Sequence, residues 1–256
     1  TDKIEIRLNF DWNGYNCILK PTANDKLIFD IEECLFHNPN YPKPYSELIG
    51  TGSEETNLHE AAKRRPGKVA DHVLKHMQSW LVYHFHDTSD YAKVKKTSDI
   101  SDNRYFKPDA SNLSAFLYFL QKKHPNHYKN ILDTTIMVAP FFKDFILRPN
   151  ALNSDKIQFE WKHRGSDAYF NAYSLSDGTL RFICLVTLLL QPKLPSVILL
   201  DEPELGLHPY AINVLADLLK SAATKTQVIV STQSVTLVNH FSHEDIIIVD
   251  HKEDVS

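Results

Sequence analysis

The chain has 256 residues, of which 43% are hydrophobic and 23% charged, and its formal net charge is −4. This composition excludes a disordered or membrane-embedded class and supplies enough apolar material for one large domain or two ordinary ones. The negative balance gives no bulk attraction to nucleic acid. The two basic runs, KRRPGK (Lys63 to Lys68) and KVKK (Lys93 to Lys96), are read as solvated faces.

The first part of the chain is β-rich. KIEIRLNF, YNCILK and KLIFDIEECLF alternate apolar and polar residues, with turn signals at Asn13-Gly14 and Ala23-Asn24-Asp25. A polar stretch containing Pro42, Pro44, Gly50 and Gly52 reads as a surface loop. From about Ala70 to Phe145 the spacing becomes helical, in ADHVLKHMQSWLVYHF and again from Asn112, a candidate N-cap, onward. KIQFEWKHR and DAYFNAYSL then form the arms of a hairpin around Arg164-Gly165-Ser166. The last third alternates buried helices (TLRFICLVTLLL, PYAINVLADLLKSAA) with buried strands (SVILL, QVIVST, DIIIVD), the pattern of βαβ units on a parallel sheet. The expected class is α/β, divided into a β-rich lobe over 1–68, a helical subdomain over 69–150 and a motif-bearing core over 151–256.

Cys17, Cys34 and Cys184 are far apart and odd in number, which fits neither a disulfide framework nor a metal site and points to a reducing cytoplasm. No signal-peptide pattern opens the chain, and Phe182 to Leu190 is too short an apolar run to span a bilayer.

Chemistry concentrates at SVILLDEPELGLHP, where four apolar residues run into Asp201 and Glu202 and then Pro203. Ligands of open parallel sheets gather at the carboxyl ends of strands. Two carboxylates fixed there suit a Mg²⁺–nucleotide site, one holding the cation and the other orienting a water. Without the strand before them, Asp-Glu-Pro would be an ordinary start to a helix-leading turn. Upstream, YSLSDGTLR offers the Ser176 hydroxyl, Gly178 for close backbone approach and a helix N-terminus for an anion.

VILLDEPELGLHP resembles the Walker B and D-loop region of ABC-type ATPase heads, the group of SMC and RecF proteins and transporter nucleotide-binding domains. YSLSDGTLR resembles their signature motif in the variant Leu-Ser-Asp-Gly-Thr. The wording and order of the motifs are similar to bacterial AAA-family ATPases close to RecF and OLD proteins, seen in DNA repair and anti-phage defence. The resemblance implies a P-loop NTPase fold and ATP and Mg²⁺ as ligands. It implies Asp201 as the Mg²⁺ ligand, Glu202 as the catalytic carboxylate, and Ser176, Asp177 and Gly178 as nucleotide-binding residues. Leu205, Gly206 and His208 fall in the D-loop, with His208 where transporter domains carry an aspartate. Gln233, after QVIVST, stands at the switch position where the family usually has histidine; its amide donates a hydrogen bond but does not titrate. His208 lacks a suitably spaced second ligand and is read as structural.

The resemblance further implies a head-to-head homodimer with composite ATP sites, and DNA or an effector protein as partner, without a membrane. It also requires a phosphate loop, G-x-x-x-x-G-K-[ST]. The one Gly-Lys pair, Gly67-Lys68, is followed by Val69, has Ala62 where the first glycine belongs and follows no apolar strand. The expectation is that this loop lies before residue 1 and that these residues alone bind ATP weakly. The competing expectation is a binding module for DNA or protein that has lost the chemistry. An OLD-type nuclease would require a further domain after DHKEDVS.

Overall fold

Four strands begin the structure, a computed structural model that describes residues 3–40 and 42–249. They are β1 (Ile4–Phe10), β2 (Asn13–Pro21), β3 (Leu27–Phe36) and β4 (Tyr45–Gly50), each antiparallel to the next. The first turn lies at Asp11-Trp12, with Asp11 at a φ of 52°, so Asn13 and Gly14 are already paired within β2. The second lies where expected, with Asp25 at a φ of 56°. Within the stretch expected to be a loop, β4 forms because β3 offers an edge; Ser46 Oγ also donates to the Glu33 carboxylate.

Helices α1 (Leu58–Arg64) and α2 (Val69–Gln78) cover this sheet. Leu58, Ala62, Ala70 and Val73 close a small core over Tyr15, Cys17 and Cys34. At its centre Glu32 is fully buried, its carboxylate accepting from Tyr15 Oη at 2.6 Å, from Asn57 N at 2.8 Å and from Thr56 Oγ1. The chain divides into two compact units between Trp80 and Leu81. The pattern had placed the change at residue 68, but the apolar side of α2 packs on the lobe's core, so α2 belongs to the first unit.

The second unit begins with β5 (Leu81–Tyr83). The helical spacing had been carried through Phe85; these residues instead pair in parallel with a strand more than a hundred positions later, a long-range partner that overrides local spacing. After β6 (Ser98–Asp99) come α3 (Leu113–Lys123) and α4 (Pro125–Val138). Asn112 takes the N-cap position of α3 without capping it; its fully buried side chain instead binds Lys107 N, Asp102 O and Tyr105 O at 2.8–3.0 Å. Next are β7 (Phe142–Ile146), β8 (Pro149–Asn150), β9 (Asn153–Ile157), β10 (Glu160–His163) and β11 (Tyr169–Asn171), the last two forming the expected hairpin with Gly165 at a φ of 82°.

The motif-bearing part follows as α5 (Asp177–Leu189), β12 (Val197–Asp201), α6 (Pro209–Ala223), β13 (Gln227–Ser231) and α7 (Val235–Val238). Every residue of α5 from Leu180 to Leu189 is buried, with Thr187 Oγ1 satisfied by Ile183 O at 2.7 Å. The parallel sheet runs β13-β12-β5. Its central strand β12 is buried as expected at Val197, Ile198 and Leu200, but β13 is not buried on both faces. Val228 and Val230 pack on the core, but Ile229, in register with Leu199 and Val82, is 49% exposed, so one face stays partly open. Ile246 to Val249, read as a further buried strand, pairs with no strand among the described residues, and Ile247 and Ile248 are exposed. An apolar run becomes a strand only where a ladder receives it; Asp250, at the end of that run, lies outside the described residues.

The three cysteines are free and buried, and burial pushes their thiols up, Cys34 to about 12. No described helix is long and apolar enough to cross a membrane.

Candidate nucleotide-binding site

At its C-terminal end β12 presents Asp201 and Glu202. Asp201 is opposite Ser231 in the parallel ladder, and Glu202 N donates to Ser231 O at 2.8 Å, so the backbone is fixed up to the second carboxylate. The Asp201 side chain is 53% exposed. Glu202 has a φ of 38°, in the left-handed region that non-glycine residues avoid. Ahead of it Pro203 is buried and Leu205 N bonds Glu202 O at 3.1 Å, so the turn holds the residue in that conformation. Gln233, beyond the end of β13, donates from Nε2 to Glu202 Oε1 at 2.8 Å. The amide expected to donate a hydrogen bond does so here to the Glu202 carboxylate, and Nε2 keeps a second hydrogen.

His86 completes this edge. It lies just past β5, the parallel neighbour of β12, with Nε2 at 4.0 Å from Asp201 Oδ2. A shallow pocket runs between His86, Arg181, Leu200, Asp201 and Glu202. Sequence reasoning missed His86 because it placed Leu81 to Phe85 in a helix.

The signature stretch enters α5. Ser176 caps it, accepting from Thr179 N at 3.2 Å and sharing a 2.8 Å hydrogen bond with Thr179 Oγ1. Asp177 is exposed in the first turn, where an acid suits the helix dipole. Gly178 has a different reason to be glycine from the one its sequence suggested. A Cβ there would stand 2.2 Å from Gly206 O, so the close approach is to the chain's own D-loop. Gly206, at a φ of 77°, makes that turn possible.

Arg181 ties these parts together and had been given no role. It is 6% exposed, and its guanidinium donates to Phe85 O at 3.0 Å, to His86 O at 3.2 Å and to Leu205 O. One buried cation thus holds the loop after β5 and the D-loop against the signature helix. Desolvation pulls its pKa below the ordinary value, and the charge of Asp177 works the other way. Leu205 and Gly206 are exposed, and His208 caps α6, its Nδ1 accepting from Tyr210 N at 3.2 Å.

Glu204 was also missed, hidden in the same acidic stretch. It is 9% exposed, Thr232 Oγ1 donates to its Oε1, and its Oε2 has no hydrogen-bond partner among the described residues. Thr232 Oγ1 also accepts from Ser234 N at 3.0 Å, and Ser234 caps α7. The start of the D-loop and the exit of β13 therefore share one hydrogen-bond chain.

The donor set fits Mg²⁺. Among the described residues no group of three or more His, Cys, Asp or Glu side chains is arranged to hold a metal. Mg²⁺ needs no such cage: it takes one or two carboxylates and completes its shell with water and substrate phosphates. The exposed oxygens of Asp201 are of that kind. Gly67-Lys68, by contrast, connects α1 to α2, with Gly67 N held by Asp71 Oδ2 at 2.8 Å; it is a helix linker and no phosphate loop.

The profile of the family described as "AAA domain, putative AbiEii toxin, Type IV TA system" matches residues 60–239. The chain belongs to this AAA-domain family. It is an α/β protein with a three-stranded parallel sheet and a four-stranded antiparallel sheet. No curated protein matches it. Among solved structures, the Smc head bound to the C-winged helix domain of ScpA is similar at 15% identity and a TM-score of 0.49, over 90% of this chain and 69% of that one. The SMC head domain from Thermotoga maritima is similar at 11% identity and a TM-score of 0.35, over 90% and 67%. A structure described under ATP-driven dimerization and DNA stimulated activation of SMC ATPases is similar at 21% identity and a TM-score of 0.41, over 54% and 83%.

Proposed function

We propose that this AAA-domain chain is the head of an ATPase that binds and hydrolyses ATP and dimerises with its nucleotide. The observation that carries the reading is Glu202, held in a left-handed backbone conformation at the end of a parallel strand with Gln233 fixed on its carboxylate. Strain of this kind persists where surrounding structure enforces it, and it clusters at working sites.

In this reading ATP is the substrate and Asp201 would hold Mg²⁺, which when bound supplies positive charge against the phosphates. Glu202 orients the attacking water for in-line displacement at the γ-phosphate, and Gln233 restricts where that carboxylate can point. His86, 4.0 Å from Asp201, lines the same edge. In this reading the site also requires a phosphate loop, and the sequence contains no G-x-x-x-x-G-K-[ST] motif. Ser176, exposed at the start of α5, serves the nucleotide of a second copy, giving a homodimer with composite sites.

The decisive experiment uses the full-length protein and compares Mg-ATP turnover of the wild type with Glu202→Gln. Loss of turnover with retained ATP binding is expected; unchanged turnover would remove Glu202 from the chemistry. We further propose that the cycle serves DNA repair or anti-phage defence in the bacterial cytoplasm, with DNA or an effector protein as partner. The support is the motif resemblance, and the toxin–antitoxin term in the family's description agrees with a defence role. Phage challenge of cells carrying the wild-type gene or Glu202→Gln tests it, with protection expected from the wild type alone.

A further inference from the structure

Asp177 raises an electrostatic problem. A carboxylate in the first turn of α5 favours the helix, but it stands beside Ser176 on the face proposed to receive a triphosphate, and its side chain is 64% exposed. A helix N-terminus carries about +0.5 of a charge, so Asp177 alone would leave that end at about −0.5 and repel phosphate.

The structure places Lys95 against it. Of the KVKK run, Lys93 is exposed and pairs with Asp109 at 3.0 Å. Lys96 is also exposed, donating to Asp90 O at 2.8 Å and to Tyr173 Oη at 3.1 Å. Both behave as a solvated face should. Lys95 does not: it closes a short 3-10 turn, is 5% exposed, and carries its Nζ to 3.7 Å from Asp177 Oδ1 and 5.6 Å from the centre of the Tyr173 ring. Lysine is almost never buried to this extent unless paired. The other carboxylate in its field is Asp87, whose carboxyl is held low first by hydrogen bonds from Ser89 and last by Lys95.

We propose that Lys95 is a positioning residue for the signature face: it neutralises Asp177 and so returns the start of α5 to net positive charge for the γ-phosphate of ATP on a second copy. Adding its charge raises the sum above by one unit, on the same side as Arg181, whose charge also interacts with Asp177, and so shifts the balance from repulsion toward attraction. Lys95 acts through Asp177 and does not touch the nucleotide. The inference rests on the proposed dimeric ATPase and specifies how its signature face works.

The experiment is a double-mutant cycle in the full-length protein, reading the ATP concentration for half-maximal dimerisation and the kcat of hydrolysis. Lys95→Met keeps most of the buried stem and is expected to raise that ATP concentration about tenfold, with a weaker effect at high salt. Asp177→Asn is expected to lower it, and adding Asp177→Asn to Lys95→Met, which brings the sum back to about +0.5, is expected to return it to within about twofold of the wild type. A loss of folding or packing at Lys95 would not be repaired by a substitution at exposed Asp177. If the double variant is as weak as Lys95→Met, or if Lys95→Met matches the wild type, the inference is overturned. Should Lys95→Met fail to fold, Asp177→Asn decides alone: tighter ATP-driven dimerisation supports the proposal and weaker overturns it. A wild type that does not dimerise with ATP overturns the dimeric reading as well.

Discussion

Glu32 and Glu202 are acidic residues of two sheets in opposite circumstances. Glu32 is fully buried in the antiparallel lobe with three donors on its carboxylate. Glu202 is only half-buried at the end of β12, receives one amide from Gln233, and is strained in its backbone. A buried charge must be fully satisfied or it unfolds its surroundings, so Glu32 is a staple. Burial first, and then the hydrogen bond to Glu32, push the Tyr15 hydroxyl well above its usual range, so it stays a donor wherever the lobe is folded. A carboxylate left partly open while its backbone is held strained has little to offer stability. The contrast separates acids that hold the fold from acids available for chemistry.

The sharpest way to break that contrast is to exchange the expected effects. Glu202→Gln should cut ATP turnover of the full-length protein about 10³-fold while shifting stability by no more than about 0.5 kcal/mol. Glu32→Ala should do the reverse locally, destabilising the first unit by about 4 kcal/mol because it strands the Tyr15 and Thr56 hydroxyls and the Asn57 amide. Thermal and denaturant melts read both. A Glu32→Ala protein that melts like the wild type would show that the network does not hold the lobe. Glu204 lies between the two extremes, buried but with one oxygen unpartnered among the described residues. Thr232→Val removes its donor and should cost about 1–2 kcal/mol in stability, with Thr232→Ser recovering most of it.

How much of this was legible in the sequence follows the range of the forces involved. The antiparallel strands and α5 could be read because alternation and an unbroken apolar helix are local patterns. Asp201 and Glu202 could be named because a buried strand followed by paired acids marks a sheet edge, and Gln233 because the family resemblance puts its switch position there. His86 could not, since three residues become a strand only when Ile198 to Leu200 pair with them. Arg181 and Glu204 were in plain view but without a role, because what defines them is carbonyls and a hydroxyl from distant loops. Lys95 was misread for the same reason: a charge run on a surface and a lysine buried against Asp177 have the same letters.

Glu202 permits one further test of its strain, the smallest in size. At ordinary positions glycine is less stable than alanine by about 0.5–1 kcal/mol, because it gains more freedom on unfolding. In a left-handed conformation alanine instead suffers a clash of about 1–2 kcal/mol that glycine avoids. At a φ of 38° the order should therefore invert, with Glu202→Gly more stable than Glu202→Ala by about 1 kcal/mol. Both variants lack the carboxylate, so both should be inactive, and the comparison isolates the backbone. If alanine melts higher, the turn relaxes at little cost and Glu202 stores no strain. If glycine melts higher, the chain keeps a less stable residue at this position, and the carboxylate is the feature that glycine cannot supply.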